Sequence, residues 1–190
     1  MDKPQGFSRS AGSKRNLAVT GVMLVIFLFA IDATIVARST AGERRIPAAQ
    51  FFTGLYATAL RPQELIAAVE FPTAKPAERC VILELARRSG DYAMAGIAAR
   101  AQVGGGAFAE PRLVFFGVGV GPVVAPAAMA AIAAKQATPA TIAAAQAALD
   151  ADLDPPEDLH GTPEMKRHLA RVLLGRALNR LSDQPETRAA

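Results

Sequence analysis

The sequence predicts an α+β fold, in which an antiparallel sheet of three to four strands is followed by a small C-terminal helical bundle and an apolar helix is appended at the N-terminus. Three observations lead there. Short runs rich in Val, Ile, Leu and Phe, closed by Pro or Gly, fill the stretch from Leu65 to Val120. Beyond Pro126 the chain turns Ala-rich and carries helix punctuation, with Thr138-Pro139 and Thr162-Pro163 as N-cap and first helical residue. Ahead of both lies an uncharged apolar run from Leu17 to Ile31, extending past Asp32 to Ala37.

The elements follow in order. Residues 1–16 form a basic polar arm, and residues 17–37 are predicted to be a membrane-crossing helix. Arg9, Lys14 and Arg15 favour an N-terminus held inside, and Arg38 ends the run. Asp32 is then an interfacial residue near the helix end, since no second helix exists to receive it. A signal peptide with small residues such as Ala37 near the cleavage point is one alternative. A chimeric chain joined near Val36–Ser39 is another. Residues 39–182 form the folded domain and residues 183–190 a disordered tail.

Within the domain, the Phe51-Phe52 pair is expected to dock on the core, and the chain turns around Pro62. Leu65–Phe71 reads as a strand closed by Pro72, which cannot donate to a ladder. Lys75-Pro76 marks a turn before a second strand over Arg79–Leu85. Tyr92–Val103 is so Ala-rich that periodicity alone leaves strand and helix open. A fourth strand is predicted over Arg112–Val120, followed by helices over Pro126–Lys135, Thr138–Asp152 and from Pro163 onward. The last carries a buried stripe of Met165, Leu169, Val172, Leu173 and Ala177.

Composition excludes several functions. The 190 residues carry a net charge of +4, but the Lys and Arg are scattered, Trp is absent and only two Tyr could stack on bases, so nucleic-acid binding is not expected. The single cysteine, Cys80, rules out a disulfide or a thiolate metal or iron–sulfur site within the chain and suits a reducing cytoplasm. His160 and His168 have no Cys or carboxylate at metal-ligand spacing and are expected to hydrogen-bond at a helix end, so no metal site is assigned. The Gly117–Pro122 run lacks the Lys-Ser/Thr of a phosphate loop and reads as close backbone packing inside a strand. No catalytic residue emerges. The polar cluster that stands out is Arg87, Arg88 and Asp91, in a turn leaving a strand; it forms either an internal Arg–Asp pair or a charged fork offered to a neighbour.

The segments Phe51-Phe52-Thr53-Gly54…Thr58-Ala59-Leu60, Glu64–Pro72, Ala86-Arg87-Arg88-Ser89-Gly90-Asp91, Leu159-His160-Gly161 and Lys166–Leu173 together resemble the signatures of the C-terminal domain in flavoprotein subunits of the carbon monoxide dehydrogenase and xanthine dehydrogenase family of molybdenum hydroxylases. The resemblance implies a docking domain belonging to one subunit of an oxidoreductase. FAD in such subunits is held mainly by N-terminal domains that are not recognised here, so no cofactor is expected to bind this chain alone and no catalytic activity is expected from it. Arg87, Arg88 and Asp91 would face the flavin domain, and the partners would be a molybdenum-binding large subunit and an iron–sulfur small subunit. Residues 16–36 also resemble the first transmembrane helix of major facilitator superfamily drug antiporters, through Asp32-Ala33-Thr34-Ile35-Val36. A membrane-anchored, non-enzymatic interaction module is therefore the second functional expectation.

Overall fold

The structure, a computed structural model, describes residues 32–54, 57–88 and 90–183. The basic arm, the Leu17–Ile31 run and residues 184–190 of the expected tail lie outside them. Three layers are stacked. The first is a sheet of order β2-β1-β5, built from β1 (Thr34–Ser39), β2 (Gly42–Pro47) and β5 (Leu65–Glu70), all antiparallel. A short helix α1 (Ala48–Phe51) and a two-stranded ribbon of β3 (Phe52–Gly54) and β4 (Ala57–Thr58) connect β2 to β5. The middle layer is an antiparallel sheet of order β6-β7-β8-β9: Glu78–Leu85, Ala95–Gly104, Ala107–Phe116 and Val123–Val124. The third layer is helical, with α2 (Pro126–Ile132), α3 (Pro139–Asp152) and α4 (Pro163–Asp183).

The middle sheet is buried on both faces, and its sequence shows it. Successive side chains point to opposite faces of a strand. Ala98 on β7 and Val114 and Phe116 on β8 pack with Ile35, Ala37, Ile46 and Phe51 of the first layer. Ile97, Ala99, Ala101, Leu113 and Phe115 pack with Leu149, Leu173, Leu174 and Leu178 of the helices. A strand covered twice loses its polar alternation, which is why Tyr92–Val103 cannot be told from a helix by pattern.

The predicted apolar helix over residues 17–37 is corrected where it enters the described region. Thr34–Ala37 is strand, part of the middle strand of the first sheet, and Ile35, Val36 and Ala37 are buried. β-branched Thr, Ile and Val in succession suit a strand packed on another sheet. Among the described residues no helix is long and apolar enough to cross a membrane, so neither the antiporter resemblance nor an anchor finds support in them. Asp32 is not an interfacial residue of such a helix: its carboxylate pairs with Arg100 Nη2 at 3.0 Å and Arg112 Nη2 at 3.4 Å on the middle sheet, and Arg100 Nη1 also reaches Glu78 Oε2 at 3.3 Å. The expected boundary at residue 39 separates the last residue of β1 from the rest of that strand.

Other elements shift by less. The fourth strand begins five residues early, at Ala107, because Gly105 and Gly106, both at positive φ, close a two-residue hairpin between β7 and β8. It ends at Phe116, so the Gly117–Pro122 run is a loop rather than strand. Close backbone packing holds at Gly117: at φ +74°, a Cβ there would meet the Ala93 and Met94 carbonyl oxygens at 2.8 and 2.9 Å. Thr138 caps α3 as expected, accepting from Thr141 N–H at 3.2 Å. The stripe of α4 is rotated: Lys166, Ala170, Leu173, Leu174, Ala177, Leu178 and Leu181 are buried, while Met165 is exposed. Two charged residues seal helix ends, Asp152 within the helical layer and Arg79 from the middle sheet. Asp152 accepts from the Ala127 and Ala128 N–H groups at the start of α2, both at 2.9 Å, and the buried Arg79 donates to the Leu181 and Ser182 carbonyls at the end of α4.

Candidate functional site

Where β6 leaves the middle sheet, the chain turns through Arg87 and Arg88 and re-enters at Met94, whose N–H donates to the Leu85 carbonyl at 2.8 Å. The turn is closed by Asp91 N–H donating to the Arg88 carbonyl at 3.1 Å, with Gly90 at φ +84°. Facing it is a second turn, Asp158–Gly161, in which the two end residues exchange backbone hydrogen bonds and His160 N–H donates to Asp158 Oδ1 at 2.8 Å. Between the turns lies an open cleft of about 640 Å³ lined by Arg87, Arg88, Gly90, Asp91, Tyr92, Leu159 and His160.

Among the described residues one hydrogen bond joins the walls: Arg87 Nη2 donates to the Leu159 carbonyl at 3.0 Å. The second wall is fixed from behind. Lys166, on the first turns of α4 and with its side chain 1% exposed, places Nζ 2.6 Å from Asp158 Oδ2 and 3.0 Å from the Pro156 carbonyl. The Lys166 ammonium, the largest influence, and the His160 N–H hold the Asp158 carboxyl below its ordinary range. A buried lysine thereby presents an exposed loop, because its stem packs in the core while its head reaches the turn.

The sequence-selected residues come together here, but not as an internal pair. Arg87, Arg88 and Asp91 are all exposed, and no ion pair among the described residues joins either arginine to Asp91. The turn is closed through its backbone, and the Arg87 side chain bonds the facing turn rather than Asp91. Tyr92, 72% exposed, Leu159, 91% exposed, and His160 join them in the lining; the sequence places Leu159 and His160 in a signature segment but gives neither Tyr92 nor Leu159 a site role. Scattered exposed apolar residues are ordinary, whereas these two large ones share one charged cleft. Neither imidazole makes a hydrogen bond among the described residues, contrary to the helix-end bonding expected of His160 and His168. Cys80 sits in β6 opposite Arg100, where burial foremost pushes its thiol up, away from the reactive thiolate.

Fit to a dinucleotide can be tested on the glycine runs. At Gly117 the space a phosphate would need is taken by the chain's own carbonyls, and Gly105-Gly106 is a hairpin turn whose open side meets Gln136. Neither forms a nest of N–H groups aimed at a ligand. The cleft is lined by the Arg87 and Arg88 guanidiniums, the Asp91 carboxylate and two rings, the Tyr92 phenol and the His160 imidazole, with no glycine-rich run of N–H groups among them. Among the described residues no group of three or more His, Cys, Asp or Glu could hold a metal ion.

Comparison with known proteins places this geometry. Residues 82–181 match the family model described as the CO dehydrogenase flavoprotein C-terminal domain, and residues 23–74 match that of the FAD binding domain in molybdopterin dehydrogenase. The second match spans the expected junction near Val36–Ser39 and corrects the expectation that the flavin-binding domains are absent, since part of one is matched. The carbon monoxide dehydrogenase medium chain of Hydrogenophaga pseudoflava is 29% identical over 79% of this chain and 52% of its own length. The glyceraldehyde dehydrogenase medium chain of Sulfolobus acidocaldarius is 26% identical over 83% and 56%. The structure of the Hydrogenophaga pseudoflava carbon monoxide dehydrogenase that lacks the Mo-pyranopterin moiety superposes with a TM-score of 0.77 at 32% identity, covering 82% of this chain and 54% of that one. The chain thus spans about half the length of the curated relatives it matches. With the middle sheet and helical layer matched almost end to end, the chain belongs to the CO dehydrogenase flavoprotein C-terminal domain family.

Proposed function

We propose that this chain is the docking part of a flavoprotein subunit in a molybdenum-containing hydroxylase, supporting a flavin-binding domain without carrying out redox chemistry itself. The observation that carries the reading is the cleft: two exposed guanidiniums, Arg88 and Arg87, and two exposed side chains, Tyr92 and Leu159, on two turns of which the second is fixed from behind by the buried Lys166. Such a surface has the aromatic, apolar and guanidinium anchors of an interface. Arg87, Arg88 and Asp91 face the flavin domain in this reading, and FAD belongs to that domain. The cofactor supplies electron transfer, and the protein supplies position and charge. A molybdenum-binding large subunit and an iron–sulfur small subunit are the partners proposed for the assembled enzyme, and the folded unit acts in the cytoplasm.

The test is co-expression of the full chain with the N-terminal region of the Hydrogenophaga pseudoflava medium chain that precedes the matched part. Co-purification in equal amounts, lost when Arg88 and Tyr92 are both changed to Ala, supports docking through the cleft. Independent elution of the two chains, while the relative's own C-terminal region captures the same fragment, overturns it.

A further inference from the structure

Among the described residues, the first sheet has no strand beyond β5. Its opposite edge, β2, carries Glu43, Arg44 and Arg45, the charges that ordinarily blunt an edge strand. β5 reads Leu-Ile-Ala-Ala-Val-Glu, with no charge before Glu70, and is exposed at every position but Val69. Leu65 is 74% and Ile66 50% exposed, Ala67 and Ala68 are exposed on alternate faces, and Phe71 beyond the strand end is half exposed. Only Val69 is partly buried against the core. Among the described residues no backbone hydrogen bond reaches Leu65–Glu70 from any strand other than β1. A strand uncharged from Leu65 to Val69, with exposed apolar side chains and an edge that no other described strand pairs, is a template for a further strand together with a covering layer.

We infer that β5 is the seam at which the flavin-binding domain continues: a strand of that domain pairs along Leu65–Glu70, and its covering layer buries Leu65, Ile66 and Phe71. The occupant follows from two findings. The FAD binding domain model covers residues 23–74, which include the whole β2-β1-β5 sheet, so this sheet is a portion of such a domain. The relatives extend to nearly twice the matched length, which leaves the chain needed to complete the sheet. This inference rests on the docking reading above but names a different surface, on the first layer rather than at the cleft.

Hydrogen exchange decides it, comparing the full chain alone with its complex with the Hydrogenophaga pseudoflava N-terminal fragment. The expected result is fast exchange at the outward amides of Leu65–Glu70 in the chain alone and slowing by about tenfold or more in the complex. The double change L65K/I66K is also expected to weaken co-purification at least about tenfold while leaving the melting temperature of the chain unchanged, since neither side chain is buried. A complex that forms with Leu65–Glu70 exchange unaltered overturns the seam and leaves docking standing. Protection of these amides in the chain alone, through its own residues or a second copy, overturns it equally. Absence of any complex, with the relative's own C-terminal region as the positive control, overturns both.

Discussion

The ammonium of Lys166, buried on α4, and the carboxylate of Asp158, in an exposed turn, lie 2.6 Å apart and carry the outer wall of the cleft. Their exposures differ widely, 1% against 40%, so the two halves of the pair are not equivalent. Asp158→Ala strands a desolvated ammonium and is expected to cost on the order of 3 kcal/mol. Lys166→Met leaves a carboxylate that water can reach and a stem that still packs, for about 1 kcal/mol or less. Urea unfolding of both variants checks the order.

The Arg44–Glu64 pair gives a pH dependence. Arg44 donates through Nε and Nη2 to the two Glu64 carboxylate oxygens, both at 2.7 Å, and Arg61 N–H adds a third bond at 2.6 Å. The Arg44 bonds foremost hold the Glu64 pKa down to about 2 from 4.5. A folded pKa below the unfolded one means stability that is fully present above about pH 4.5 and lost as pH falls toward 2. The fall in stability between those pH values is expected to be shallower in Glu64→Gln, measured by urea midpoints across the range.

Removing residues 1–38 takes out Thr34–Arg38, leaving β2 and β5 without the strand between them and uncovering Ala98, Val114 and Phe116. The shortened chain is expected to aggregate or melt without cooperativity. Calorimetry that finds a cooperative transition at the temperature of the full chain contradicts the three-layer account.

Asp91→Ala and Arg88→Ala are expected to change stability by less than about 1 kcal/mol, because both side chains are exposed and unpaired with each other. A loss of about 3 kcal/mol or more would restore the buried pair. Gly117→Ala is the contrasting case: at φ +74° with two carbonyl oxygens within 2.9 Å of the added Cβ, it is expected to cost more than about 2 kcal/mol by chemical denaturation.

What can be read from sequence follows the physics of each signal. Helix starts are legible because Thr138-Pro139 and Thr162-Pro163 are local instructions, and α3 and α4 begin where these place them. Thr34–Ala37 reads as helix because an apolar β-branched run next to an uncharged one continues the same hydropathy, while its strand character is set by partners at residues 42–47 and 65–70. The stripe of α4 is rotated by Lys166, a charge whose partner Asp158 lies in a turn that sequence spacing does not place against the helix. Arg87, Arg88 and Asp91 are visible through their motif, but Tyr92 is not: nothing in a single sequence distinguishes an exposed tyrosine from a core one.

The central claim, that this chain docks a flavin-binding domain and does not hold FAD by itself, is tested most directly by the visible absorbance of the purified full chain after incubation with excess FAD and gel filtration. A colourless chain is predicted, with flavin absorbance appearing in the same peak only when the flavin-binding fragment is co-purified. A yellow chain carrying stoichiometric FAD on its own, at micromolar affinity or tighter, would contradict it.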